Sequence, residues 1–110
     1  MITLKGNHIS ITKGDSGTIT FPFKQKCKDF DINGYTVRFI IKQKGEDDSE
    51  AIFDTSLTID EPTTRLSFAI TTTLTSNTPK DYDYALRISK DGEVQTVAEG
   101  IFSIVQGVFA

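Results

Sequence analysis

Two short clusters in this sequence hold side chains of the right type and spacing to do chemistry. The first is Gly14-Asp15-Ser16-Gly17, with the chain's single histidine, His8, eight residues before Ser16. It resembles the surroundings of a nucleophilic serine. Such a serine needs a base within hydrogen-bond reach, a group that orients the base, and donors for the oxyanion. If residues 7–12 and 18–23 paired as a hairpin, His8 and Ser16 would face one another. The local chemistry favours a turn: Asp and Ser accept bonds from nearby backbone, and flanking glycines permit tight geometry. No catalytic residue is assigned.

The second cluster is Asp29-Phe30-Asp31-Ile32-Asn33-Gly34. Asp29, Asp31 and Asn33 match the first half of a calcium loop, with oxygen ligands at alternate positions and a glycine for the turn. The second half departs from the pattern. Ile40 stands where a bidentate glutamate belongs, and the segment after Gly34 reads as strand. A polar turn leading into a strand is the simpler expectation, with no cofactor and no metal.

The remaining polar features read as structural. Glu46, Asp47, Asp48 and Glu50 suit a solvated hairpin tip. Lys24, Lys26 and Lys28 alternate, as in a strand edge protected from unwanted pairing. Cys27 stands alone, so no internal disulfide is expected, which suits a reducing cytoplasm. Net charge is −3 and the pI about 5.0, which argues against a general nucleic-acid binder. The opening "MITLKGNHIS" has no apolar signal-peptide core, and no apolar run is long enough to span a bilayer.

The elements that must position these groups are strands. The 110 residues suit one domain spanning 1–110. Thirteen Ile and fifteen Thr stand against five Leu and five Ala, and β-branched side chains fit a pleated surface better than a helix. Alternation is clear in "HISIT", "TITFPF", "YTVRFIIKQ", "RLSFAIT" and "YDYALRIS", and weaker in "AIFDTSLTI". Ile40 breaks the alternation of its strand and must be covered by a neighbour. Pro22 cannot donate to a ladder, so its strand lies at an edge or ends there. "KDG" predicts a tight hairpin into "EVQTVAEGIFSIV", where Gly100 is the expected bulge. "TTLTSNTPKD" reads as a connection, and no window sustains a helical period. Tyr82 and Tyr84, two apart, are expected in the core with their hydroxyls near the rim. About seven antiparallel strands, an all-β sandwich, follow.

The order of these pieces is informative. Gly14-Asp15-Ser16 follows a first short strand, and Asp31-Ile32-Asn33-Gly34 leads into "YTVRFIIK". Thr78 precedes the Tyr-x-Tyr strand, and "KDG" and "TVAEGIFSIV" close the chain. Over residues 9–105 this order resembles small β-sandwich proteins of tailed bacteriophages and prophages. In particular it resembles the immunoglobulin-like N-terminal domain of baseplate upper proteins. The resemblance implies an antiparallel immunoglobulin-like sandwich in which both clusters are turns. It further implies a non-enzymatic structural module, made in the bacterial cytoplasm and then part of the virion, whose partners are other tail proteins or further copies of itself. Domains of this kind usually continue into a linker and further domains, whereas this sequence ends at Ala110.

The candidate docking residues are Val105, Val108 and Phe109, apolar beyond the closing strand, together with an exposed strand edge. Folding back onto the sandwich is the alternative for that tail. A carbohydrate- or cell-surface-binding sandwich is the competing function, and it requires an exposed aromatic platform at Tyr35 or Tyr82.

Overall fold

A computed structural model describes residues 2–5, 8–25, 28–45 and 51–107. Among them the chain is almost wholly strand. The strands are β1 (Ile2–Lys5), β2 (His8–Thr12), β3 (Gly17–Pro22), β4 (Lys24–Gln25), β5 (Lys28–Asp29), β6 (Thr36–Gln43), β7 (Ala51–Thr58), β8 (Arg65–Ile70), β9 (Lys80–Lys90) and β10 (Glu93–Val105). One helical turn, α1 (Thr72–Thr75), lies between β8 and β9.

Six strands form the main sheet in the order β1-β2-β10-β9-β6-β7, while β3 pairs with β8 and β4 with β5 in two small sheets. The all-β expectation holds at this level. Three details differ from it. There are ten strands among the described residues, partly because the stretch holding Lys24 and Lys28, whose alternation suggests one edge strand, is two two-residue strands paired with each other. The main sheet is mixed, because β2 runs parallel to β10 with Phe102 opposite Ile9. Residues 8–12 and 17–22 form no hairpin: β2 and β3 belong to different sheets.

Register decides which side chains face inward. Across β6 and β9, Val37 pairs with Ile88, Phe39 with Leu86 and Ile41 with Tyr84. All six are buried, and they meet Ile19, Phe21, Phe68 and Ile70 from the β3–β8 sheet in one core. Phe39 lies at its centre, with ring centroids 4.9 Å from Phe68, 5.4 Å from Phe21 and 6.1 Å from Tyr84. Burying a Phe stabilises by about 1.5–3 kcal/mol, and each well-oriented ring pair adds roughly 0.5–1.5 kcal/mol. The small sheet therefore lies across the apolar face of the large one.

The turns obey local chemistry. Asp91 (φ 54°) and Gly92 (φ 84°) make the two-residue connection that places Lys90 opposite Glu93, the left-handed geometry a tight hairpin requires. The bulge in β10 falls at Val97, between Thr96↔Arg87 and Ala98↔Leu86, not at Gly100. Gly100 stays in register opposite Tyr84. Pro22 is the last residue of β3, as expected. The helical turn was not expected from a four-residue stretch of Thr and Leu. Thr71 caps it, its Oγ1 accepting from the Leu74 N–H at 3.3 Å.

Candidate docking surfaces

The first chemical cluster is a structural turn. Asp15 N–H donates to the Thr12 carbonyl at 3.0 Å, and buried Thr75 donates its hydroxyl to the Asp15 carbonyl at 2.6 Å. The turn is thereby tied to α1, and Ser16 is exposed. His8 instead meets Ser103, its Nε2 2.7 Å from the Ser103 Oγ. Ser103 donates to Asp81 Oδ1 at 2.6 Å. A hydroxyl has one proton, so His8 must supply the other hydrogen. A nucleophilic serine gives its proton to histidine; here the serine is the middle link of an Asp–Ser–His chain across β9, β10 and β2. Ser103 is 6% exposed, so the chain satisfies a buried hydroxyl. Sequence reasoning missed Ser103 and Asp81, because only strand pairing brings residues 8, 81 and 103 together.

The second cluster is a latch. Asp31 Oδ1 accepts from the Asn33 N–H at 2.9 Å and from the Thr63 N–H at 3.0 Å. These backbone donors, Thr63 first and Asn33 second, hold the carboxyl below the usual aspartate range. Gly34 follows at φ 88°, and its N–H donates to the Ile59 carbonyl. Asp31 thus fastens the turn before β6 to the loop between β7 and β8. Asp29 accepts from Lys24 Nζ at 3.0 Å. The two carboxylates are therefore committed to different partners, and Asn33 contributes its backbone. Among the described residues no group of three or more His, Cys, Asp or Glu gathers around one point. Lys26, Cys27 and residues 46–50 lie outside the described residues.

The tyrosines divide. Tyr82 and Tyr84 are buried, and burial pushes both phenols up. Tyr82 donates its hydroxyl to the Thr78 carbonyl at 2.7 Å, closing the corner that enters β9. Neither can serve as an exposed platform. Tyr35 is half-buried, edge-on to Phe30 with centroids 5.7 Å apart, and Lys90 Nζ sits 5.3 Å from its ring centre. Tyr35 and Phe30 line a recess of about 360 Å³ with Val97, Gln25 and Gln95.

The outward face of the main sheet is mostly polar, and Ile40 is its fully buried apolar residue. Arg38 grips Asp54 with two parallel bonds, Nε at 2.9 Å and Nη2 at 2.6 Å. Ile40, beside them, points away from the core cluster. It lies in a shallow depression with Lys42, Ala85, Arg87, Glu99 and Ile101, where long charged side chains cover apolar surface with their stems. Ile40 is thus covered, as expected of a residue that breaks the alternation.

Among the described residues the exposed large apolar side chains are Leu57, Val94, Val97 and Val105, and two of them mark candidate docking places. Val105, the last residue of β10, is 46% exposed, while its carbonyl accepts from the Lys13 N–H at 2.8 Å. Val108 and Phe109 lie outside the described residues. The other place is β7, an end strand of the main sheet. Leu57 on β7 is 36% exposed. A groove of about 550 Å³ runs from Leu57 through the loop at residues 59–64 to Leu66 of β8. β7 and β8 are thus neighbours in sequence at the open side of the two layers. Among the described residues no helix is long and apolar enough to cross a membrane.

No protein-family model matches the chain, and no curated protein matches it.

Proposed function

We propose that this chain is a non-enzymatic assembly module of a bacteriophage or prophage tail or baseplate, acting by docking onto other proteins. One observation carries the docking reading: among the described residues the main sheet ends in an eight-residue strand, β7, paired on one side with β6 and exposing Leu57. Unpaired strand edges are templates for another chain.

The phage context rests on the resemblance in the order of turns and strands, and the topology supports an immunoglobulin-like arrangement. On this reading the order β10-β9-β6-β7, with β3-β8 across the core, would stand for strands G, F, C and C′ facing B and E of such a sandwich. The Tyr82–Thr78 bond at the start of β9 has the geometry of that fold's tyrosine corner. The non-enzymatic reading draws on the direction of the Ser103 proton, toward Asp81 and away from His8.

Mass spectrometry of purified phage particles tests the proposal. The protein should be found at a fixed stoichiometry with tail components, and its absence from complete particles would overturn the reading. Val105→Asp should weaken assembly without lowering the melting temperature if the end of β10 docks.

Binding of surface glycans is the second reading, favoured by the recess at Phe30 and Tyr35, where aromatic rings meet the Gln25 and Gln95 amides. Glycan binding that is lost in Tyr35→Ala with the fold intact would support it. A blank glycan panel would remove it.

A further inference from the structure

The strand edges of this molecule are built in two ways. β1 has four residues and ends on Lys5. β4 and β5 have two residues each and carry Lys24 and Lys28. β3 ends on Pro22, and β8 begins with Arg65. Shortness, lysine and proline are the devices that keep an edge from recruiting a neighbour. β7 has none of them. It is eight residues long, without Lys, Arg or Pro, and its single charge, Asp54, is neutralised within the chain by Arg38. Its irregularity is confined to the start, around Ile52, leaving residues 53–58 in regular register with β6.

We propose that β7 pairs antiparallel with β7 of a second copy of this chain, about a twofold axis through Thr55. The inference rests on the docking reading and names its partner. A register that keeps inward side chains inward must be centred on a residue, because a one-residue slip exchanges the faces. Centring on Asp54 sets two carboxylates against each other. Centring on Phe53 draws the irregular Ile52 into the ladder. Centring on Ser56 leaves Leu57 opposite Thr55. Centring on Thr55 places Phe53 opposite Leu57 on the inner face, twice, and Asp54 opposite Ser56 on the outer face, twice. Apolar pairs with apolar, and each carboxylate faces a hydroxyl. Cross-strand pairs of this kind are the unit of sheet stabilisation. A single strand pair is smaller than a standard interface of about 1,600 Å², so association is expected at about micromolar concentrations.

Sedimentation equilibrium of the full chain over a concentration series tests this. The mass should rise from 12.2 kDa toward twice that value. Leu57→Lys, at a partly exposed position, should weaken association about tenfold or more by setting a charge against Phe53, with the strand content of the folded chain unchanged by circular dichroism. In a Cys27→Ser background, Thr55→Cys should cross-link to itself under mild oxidation, because residues opposed across a strand pair lie within disulfide reach. Ser56→Cys should do so much more slowly. A mass fixed at one chain across the series would overturn self-pairing. So would association that survives Leu57→Lys, or equal cross-linking at the two positions. None of these outcomes bears on whether the protein is found in particles, so the broader docking reading stands or falls separately.

Discussion

The two faces of the main sheet are made by the same strands and held by different forces. On β6, Val37, Phe39 and Ile41 face the small sheet, and Arg38, Ile40 and Lys42 face away. The inner face works by area: its side chains gain from any apolar neighbour, and the rings around Phe39 add orientation. The outer face works by pairs: Arg38 with Asp54, and His8 with Ser103 and Asp81. Those pairs form only in the correct register, so they report on pairing where the core reports on collapse. Ile40 is an exception, fully buried on the mostly polar face.

Truncation at the centre of the inner face should have the largest effect. Phe39→Ala is expected to cost about 3–5 kcal/mol in urea unfolding. A loss below about 1.5 kcal/mol would mean that the small sheet does not pack where described. Ile40→Ala tests this exception. If the charged stems seal it, the loss should be about 2 kcal/mol, the low end for a buried aliphatic. A change within about 0.5 kcal/mol would make the outer face an ordinary wet surface. Ser103→Ala should cost about 1 kcal/mol, because Asp81 and His8 can turn to water when their bridge is removed. A large loss of several kcal/mol would reveal packing the hydrogen bonds do not explain.

The smallest effects are those of pH. Asp31 has a depressed folded-state pKa, so its contribution is present above the unfolded value of about 4 and fades as pH falls through the folded value. The melting difference between wild type and Asp31→Ala should therefore shrink in acid. Tyr82 and Tyr84 have raised values, so the inner face loses stability only as pH climbs past the unfolded phenol value of about 10. If Tyr82→Phe leaves that alkaline loss undiminished, Tyr82 is not among its sources.

Much of the fold is legible where one residue type forces one local geometry. Alternation in "YTVRFIIK" and "RLSFAI" matches β6 and β8, Pro22 ends β3, and Asp91-Gly92 makes the hairpin. The Asp31-to-Gly34 stretch is readable as a turn, but its attachment to Thr63 is not, because that bond spans 32 residues. Gly100 illustrates a misreading. A glycine marks where a bulge is permitted, whereas the bulge falls at Val97, where β10 must stay in step with β9. The helical turn at Thr72 was hidden because four residues carry no periodicity.

Composition and alternation alone determined that this chain builds strands, which side chains seek the interior, and where the backbone turns. Those properties follow from side-chain shape and from backbone freedom at single residues. The parallel seam between β2 and β10, the Asp81–Ser103–His8 chain, the burial of Ile40 and the place of β7 at the end of the main sheet were decided only by tertiary structure. Each depends on which distant strands become neighbours, and pairing energy is spread over whole registers, not written in any local stretch.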